Sequence, residues 1–365
     1  MFDRRLVTNF DWVLLTVVLM LAGVGILNLY SATSGWDVYS LPFYLKQSLW
    51  LAGGLFLVLL ICCFDYRHLE HFSLPAYVVT LGLLLFVLLL GKTSMGATRW
   101  IHLGFFNLQP SEVAKLVIIM ALARILARTV QPSGYRLRDL WLPALLLAPP
   151  FLLIVKQPDL GTALVVVFIA ASMLLFAGLQ PRTLLVLGVG GVASACGGWF
   201  MLRDYQKARI STFLNPEADP LGSGYHIIQS KIAVGSGGFW GKGFMAGTQS
   251  QLSFLPERHT DFAFSVFAEE WGFSGSMLLL LGYLFLVVWG IYVARRAADR
   301  FGMFLAFGVT AMIFWHIVIN LGMVIGLMPV VGVPLPLFSY GGTSMITTMI
   351  GVGLLMNISM RRFMF

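Results

Sequence analysis

The sequence predicts an all-α polytopic membrane protein with about ten transmembrane helices, both termini cytoplasmic and one long extracytoplasmic loop. Three observations predict it. Only 11% of the 365 residues are charged and the mean hydropathy is +0.86, more apolar surface than a water-facing domain can hide. Nearly uncharged stretches of about 20 residues, the length a helix needs to cross the hydrocarbon core, recur along the whole chain. The arginines crowd into alternate intervals between those stretches.

The first stretch, residues 12–31, is long for the apolar core of a signal peptide. No small-x-small cleavage site follows it, so it reads as an uncleaved span. The others fall near 48–64, 72–91, 111–128, 140–156, 160–178, 182–201, 273–294, 302–325 and 340–360. Pro149 and Pro150 should kink the fifth, and the seventh holds Gly190, Gly191, Gly197 and Gly198. With the N-terminus inside, the cytoplasmic intervals hold Arg4, Arg5, Arg67, Arg124, Arg128, Arg295, Arg296, Arg361 and Arg362, among others. The short outer loops then hold only Lys46, Lys92, Arg99 and Lys156. That asymmetry follows the positive-inside rule. The segment 202–272 becomes extracytoplasmic, and the chain reads as one membrane domain over 1–365.

Several function classes drop out. The net charge of +8 is scattered between spans and forms no stripe for nucleic acid. Cys62, Cys63 and Cys196 lie in or beside apolar runs without metal spacing and read as small fillers. The stretch VGSGGFWGKGFMAG is glycine-rich, yet no strand signal precedes it and it lies outside the cytoplasm. It reads as a tightly turned or mobile loop, not a nucleotide-phosphate loop. No HExxH, GxSxG or EF-hand pattern is present, and no dedicated metal cluster.

Charge inside the spans is more informative. In QPSEVAKL, Ser111 is a candidate N-cap, Glu112 falls in the first turn and Lys115 shares its face. The pair is either interfacial, with a snorkelling lysine, or a buried ion pair beside a polar cavity, where Glu112 keeps Lys115 charged. Gln157, Pro158 and Asp159 open the sixth span, and SYGGTS opens the tenth, where Gly341 and Gly342 permit close backbone approach. Even-numbered spans start at the outer face, so three positive helix ends, with Lys115, Arg99 and Lys156, would suit an anion there. Helix capping alone is the alternative for each. The segment LMPVVGVPLPLFSYGG, stiffened by Pro329, Pro334 and Pro336, either lines a lipid-tail groove or simply packs. PERHTDF puts Glu257, Arg258, His259 and Asp261 against the apolar run FAFSVF, where Asp261 is either the cap of that helix or a reactive carboxylate.

PERHTDFAFSVFAEEWG, FNLQPSEVAKL, GATRWI, FLNPEADPLGSGYHIIQSKIAVGSGG and MPVVGVPLPLFSYGGTS together resemble the SEDS family (shape, elongation, division, sporulation), over nearly the whole chain. Arg258 and GATRWI suit its rod-shape branch, RodA, better than the division branch, FtsW. The resemblance implies a peptidoglycan glycosyltransferase that polymerises lipid II at the outer face of the bacterial inner membrane, on the periplasmic side. It implies Asp261 as the essential loop carboxylate, here expected to be the general base, and Glu112 with Lys115 as the ion pair. Arg99, Arg209, Arg258 and Lys156, with Gly341 and Gly342, are candidates for the leaving pyrophosphate. Glu269, His259 and Asp159 are secondary candidates. Cations near Asp261 should favour its ionised form. A divalent cation, Mg or Mn, could assist at Asp261 and Glu257. Expected partners are lipid II, a class B penicillin-binding protein at the eighth and ninth spans, and other rod-complex proteins. Two rivals stand beside this reading: a lipid II flippase, and a non-catalytic scaffold for a transpeptidase.

Overall fold

The structure is a computed structural model, and it describes residues 9–34, 41–94, 97–102, 107–129, 131, 133–201, 204–218, 223–251, 254–255 and 257–362. In chain order the helices are α1 (Trp12–Thr33), α2 (Phe43–Cys63), α3 (His68–Leu90), α4 (Pro110–Arg128), α5 (Trp141–Lys156), α6 (Leu160–Ala177), α7 (Pro181–Met201), α8 (Asp204–Leu214), α9 (Ser223–Ser236), α10 (Thr248–Gln251), α11 (Ala263–Arg295), α12 (Arg300–Val324) and α13 (Gly342–Arg361). Eight are long and apolar enough to cross a membrane: α1, α2, α3, α5 with the 3-10 turn before it, α6, α11, α12 and α13. The other two expected spans, 111–128 and 182–201, are helical as α4 and α7.

Local chemistry sets the helix starts. Asp11, Asp159 and Asp299 cap α1, α6 and α12 by accepting from backbone N–H groups two or three residues into each helix. α4 differs from the expectation. Pro110 is its first residue and Gln109 its N-cap, so Ser111 lies within the helix, its hydroxyl buried without a partner. Proline suits that first position because its missing N–H would have no intrahelical acceptor. α5 continues through both Pro149 and Pro150. α11 is two helices joined at Gly272, which has φ 65° and ψ −161°, so the expected span from 273 begins at the break.

α12 and α13 form the centre, with 72% and 78% of their spans buried against 22% for α2 and for α3. Around them the helices run up and down, which gives the bundle two chemically different ends. One end collects arginine–carboxylate contacts: Arg67 with Asp299 at 3.3 Å, Arg128 with Glu70 at 2.8 Å and Arg361 with Asp65 at 3.7 Å. Asp11 is there too, accepting from Trp289 and Ser359. Arg4 and Arg5 lie outside the described residues. The other end carries the candidate site.

Two features of that end were not legible as secondary structure. Between α3 and α4 lie three short antiparallel strands, β1 (Lys92–Ser94), β2 (Ala97–His102) and β3 (Asn107–Leu108), in the order β1-β2-β3. The segment 202–272, expected as a loop, is mostly helical: α8, α9, α10 and the first part of α11. α9 is bound into the bundle through Ser230, whose hydroxyl donates to Val324 O at 2.7 Å and lies 2.8 Å from the Ser265 hydroxyl.

Candidate active site

The PERHTDF turn leads into α11, and Pro256 lies outside the described residues. Glu257 adopts φ 48°, and its carbonyl accepts from the N–H groups of Thr260 and Phe262. The N-cap of α11 is Phe262, with no side-chain cap bond. Asp261 is therefore not the cap of this helix. Its backbone carbonyl accepts from Asn320 Nδ2 at 3.0 Å, while its carboxylate makes no hydrogen bond or ion pair among the described residues.

The wall opposite that carboxylate is the segment 327–341. Gly332 has φ 72°, and a Cβ there would lie 3.4 Å from Asp261 Oδ2. The residues beside Gly332 recruit two further elements. Val330 O accepts from Arg209 Nη1 of α8 at 3.2 Å. Val331 O would be 2.6 Å from a Cβ on Gly161 at the start of α6. The second half of the segment packs: Val333, Leu335, Leu337 and Phe338 are buried, and Tyr283 donates to Pro336 O at 2.7 Å.

Burial and the neighbouring Glu257 push Asp261 up to about 6 from an ordinary 3.8, while Arg209 and Arg99 pull it down. The cations were expected to dominate. They do not, because removing water from a carboxylate penalises its charge more than two partly engaged guanidiniums restore. His259 is held below the usual imidazole range by burial. Its ring lies against Phe43 and Tyr340, so it packs the turn in place.

Arg99, from β2, is committed to the start of α6. It donates to Pro158 O and lies 3.7 Å from Asp159 Oδ1. Asp159 itself accepts from Thr162 N at 3.3 Å, Thr162 Oγ1 at 2.9 Å and Gln109 Nε2 at 3.3 Å. It is the cap of α6 and the link to α4, which corrects its candidacy as a reactive group. Thr343 at the start of α13 donates to Asn107 O at 2.8 Å, two residues before Gln109. The three expected helix N-termini are thus brought together by Asn107 and Gln109. Gly342, however, is covered by the Trp50 indole, 2.6 Å from where a Cβ would sit, and Gly341 N–H points to Gln47 Oε1. Lys156 is exposed at the end of α5, while Arg258 is only 3% exposed.

The Glu112–Lys115 pair is buried, which decides against a snorkelling lysine. Lys115 Nζ lies 2.7 Å from Glu112 Oε1 and 2.6 Å from His316 Nε2, and His316 Nδ1 lies 2.7 Å from Met312 O. Nδ1 therefore carries the proton, leaving Nε2 to accept from the ammonium. With its side chain 1% exposed, Lys115 joins α4 to α12 and does not reach an anion directly. His316 was missed because a lone histidine in an apolar span gives no signal of its partner 201 residues away.

Glu269, also a candidate, is fully engaged elsewhere. It meets Lys242 Nζ at 2.6 Å, Thr248 Oγ1 at 3.0 Å and the N–H of Gln249. These contacts seat the glycine-rich stretch on the break in α11. There Lys242 and Gly243 N–H groups donate to Glu269 and Glu270 carbonyls, and Phe273 and Ser274 donate back to Gly238 and Phe239. The hydrogen bonds that the helix loses at Gly272 are replaced by this loop, which is tightly turned as one of the two sequence readings required. Among the described residues no group of three or more His, Cys, Asp or Glu could hold a metal ion.

A family model for cell cycle proteins, covering FtsW, RodA and SpoVE, matches residues 11–363. Peptidoglycan glycosyltransferase MrdB of Escherichia coli K12 is 42% identical over 360 residues, which is 98% of this chain and 95% of that protein. Among solved structures, a chain from a peptidoglycan synthase complex that coordinates polymerization and crosslinking is 37% identical, with a TM-score of 0.84 over 98% of this chain and 99% of that one. The rod shape determining protein RodA of Thermus thermophilus is 33% identical, with a TM-score of 0.74 over 98% of both chains.

Proposed function

The chain belongs to the FtsW/RodA/SpoVE family, and from that premise we propose that it is a multi-pass bacterial membrane glycosyltransferase of peptidoglycan with Asp261 as general base. One observation carries the assignment of the base. Asp261 is a half-buried carboxylate, without a partner among the described residues, beside a glycine and within the field of Arg209 and Arg99. A carboxylate tied into a salt bridge would be a poor base, while one raised to about 6 is ionised at neutral pH and still basic enough to take a proton.

The substrate in this reading is lipid II. Asp261 removes the proton from the acceptor sugar's 4-hydroxyl, and that oxygen attacks C1 of the donor sugar. The undecaprenyl pyrophosphate leaves from the opposite face, so an α-linked donor gives a β-linked strand. Arg209, exposed beside Val330, is the cation best placed to meet the leaving charge. Arg99 contributes through the α6 start that it braces. Lys115 acts at a distance, fixing α4 to α12. Asp261 and Glu257 are two carboxylates, fewer ligands than a divalent ion takes, so any Mg or Mn would depend on substrate phosphates for the rest.

α4 and α7 complete ten spans in this reading. The arginine-rich end faces the cytoplasm and Asp261 the periplasmic side of the inner membrane. A penicillin-binding protein's membrane helix would lie on α11 and α12, where Met277, Leu278, Leu281 and Leu284 are exposed on α11.

The test is polymerisation of labelled lipid II in detergent by the full chain with its transpeptidase partner. Asp261→Asn should lower turnover on the order of 100-fold to 10,000-fold. Undiminished strands would remove Asp261 as the base. A flippase or a bare scaffold would make no strands in detergent, even as wild type.

A further inference from the structure

We infer that Asn320 is a positioning residue for this reaction, its amide tying the backbone of Asp261 to the loop that faces the Asp261 carboxylate. The inference rests on Asp261 being the base. Asn320 lies on α12 with none of its surface exposed, one turn beyond His316 and between apolar positions such as Ile319 and Met323. Its Nδ2 donates both hydrogens, one to Asp261 O at 3.0 Å and one to Val333 O at 2.8 Å. Its Oδ1 is buried with no partner. An unpaired buried amide oxygen is unfavourable, and a leucine would fill the same space without it. What the amide supplies that leucine cannot is the pair of N–H groups.

Those two bonds span the groups on either side of the reactive carboxylate. Val333 follows Gly332, where a Cβ would lie 3.4 Å from Asp261 Oδ2. With Asn320 in place, the turn at 257–262 and the loop at 330–333 hold one separation. Arg209, which is bonded to Val330 O, then stays at a fixed place relative to the base. The charged groups that face Asp261 are Glu257 from its own turn, Arg209 from α8 and Arg99 from β2. Asp159 is paired with Arg99, and His316 on α12 is committed to Lys115. None of these side chains takes Asn320 as its partner, so loss of the amide should remove no charge but should change the spacing of Asp261 from Arg209 and the hydration of its carboxylate.

The experiment compares wild type with Asn320→Leu, Asn320→Asp and Asn320→Gln, each as full chain with the transpeptidase partner, turning over labelled lipid II across pH 5 to 9. Asn320→Leu should lower kcat on the order of 10-fold to 100-fold, as expected for a misplaced base, with KM changed by less than about 3-fold. The acid limb of kcat/KM should move to lower pH, because a carboxylate released from the loop gains water. Asn320→Gln, which keeps two N–H donors, should recover activity relative to Asn320→Leu, and Asn320→Asp should not. An unchanged kcat in Asn320→Leu overturns the inference. So does a fall in kcat with the acid limb unmoved, since a merely structural residue would do that. If Asn320→Leu does not accumulate, the other two decide: equal activity of Asn320→Gln and Asn320→Asp overturns the inference, and active Gln with inactive Asp supports it. Asp261→Asn is run alongside. If it stays active, the base assignment has failed; if it is dead while Asn320→Leu is normal, only the role of Asn320 has failed.

Discussion

Asp261 sits at the end of the turn that leads into α11, and its backbone carbonyl is held by Asn320 while its carboxylate is raised to about 6. Its density of charged neighbours in an apolar chain marked it, and the helix that follows offered capping as the modest alternative. The cap is Phe262, so capping does not occupy the carboxylate. The direction of its protonation was not legible, because burial is a property of the fold and the loop that approaches Asp261 at Gly332 is 71 residues away in the sequence. Two consequences follow from a carboxyl raised from 3.8 to about 6. As a base it must be ionised, so kcat/KM should fall tenfold per pH unit below about pH 6, read from initial rates of lipid II polymerisation. The stability effect has the opposite sense. A folded-state value above the unfolded one contributes stability that is present below 3.8 and lost as pH rises through about 6. At pH 7.5 the ionised group is therefore a burden to the fold. Asp261→Asn should raise stability by about 1 to 2 kcal/mol, allowing for the partial exposure of the carboxylate. Thermal melts should show a higher Tm at pH 7.5, with the gain shrinking as pH falls toward 4.

At the scale of elements, the glycine-rich stretch and α11 explain each other. Sequence showed six glycines between 235 and 247 but not the helix break they serve, since that needs Gly272 and the loop to be seen together. Gly241 has φ 80°, and a Cβ there would lie 2.1 Å from Glu270 O. Gly241→Ala should cost about 3 kcal/mol or more, because both the conformation and the close approach are lost. Gly235, in α9, has nothing within 4 Å, so Gly235→Ala should be neutral or stabilise by up to about 1 kcal/mol. Equal melting temperatures for the two variants would refute the clamp. The strands of 92–108 escaped notice because pairs this short carry too few residues for an alternating pattern. The cap of α4 was misplaced by two residues, Ser111 for Gln109, which is ordinary for helix ends. For the Glu112–Lys115–His316 cluster, removing one charge leaves the other buried and uncompensated. Lys115→Met should therefore destabilise by about 3 to 5 kcal/mol, and Glu112→Gln combined with Lys115→Met by less than the sum of the two single changes. Additive losses in unfolding measurements would show that the pair is not coupled.

For the whole molecule, the arginine asymmetry of the sequence becomes a physical polarity. Helices of membrane-spanning length reverse direction at each turn, so residues near alternate turns collect at one end. Arg67, Arg128 and Arg361 therefore meet Asp299, Glu70 and Asp65 there. At the opposite end Gln109 meets Asp159, Gln157 donates to Leu84 O, and Asn320 holds Asp261. This separation fixes an orientation if the arginine end is cytoplasmic, and the site must then work on a substrate presented from outside. Two exposed positions report the two ends. Arg138 lies in the 3-10 turn before α5, whose far end reaches Leu84 through Gln157. Ser211 lies on α8, beside Arg209. In a background with Cys62, Cys63 and Cys196 replaced by alanine, Ser211→Cys in intact spheroplasts should react with a membrane-impermeant maleimide. Arg138→Cys should react only after the membrane is opened. Labelling of Arg138→Cys and protection of Ser211→Cys in intact spheroplasts would invert the orientation. Asp261 would then face the cytoplasm, and an extracytoplasmic polymerase would be ruled out.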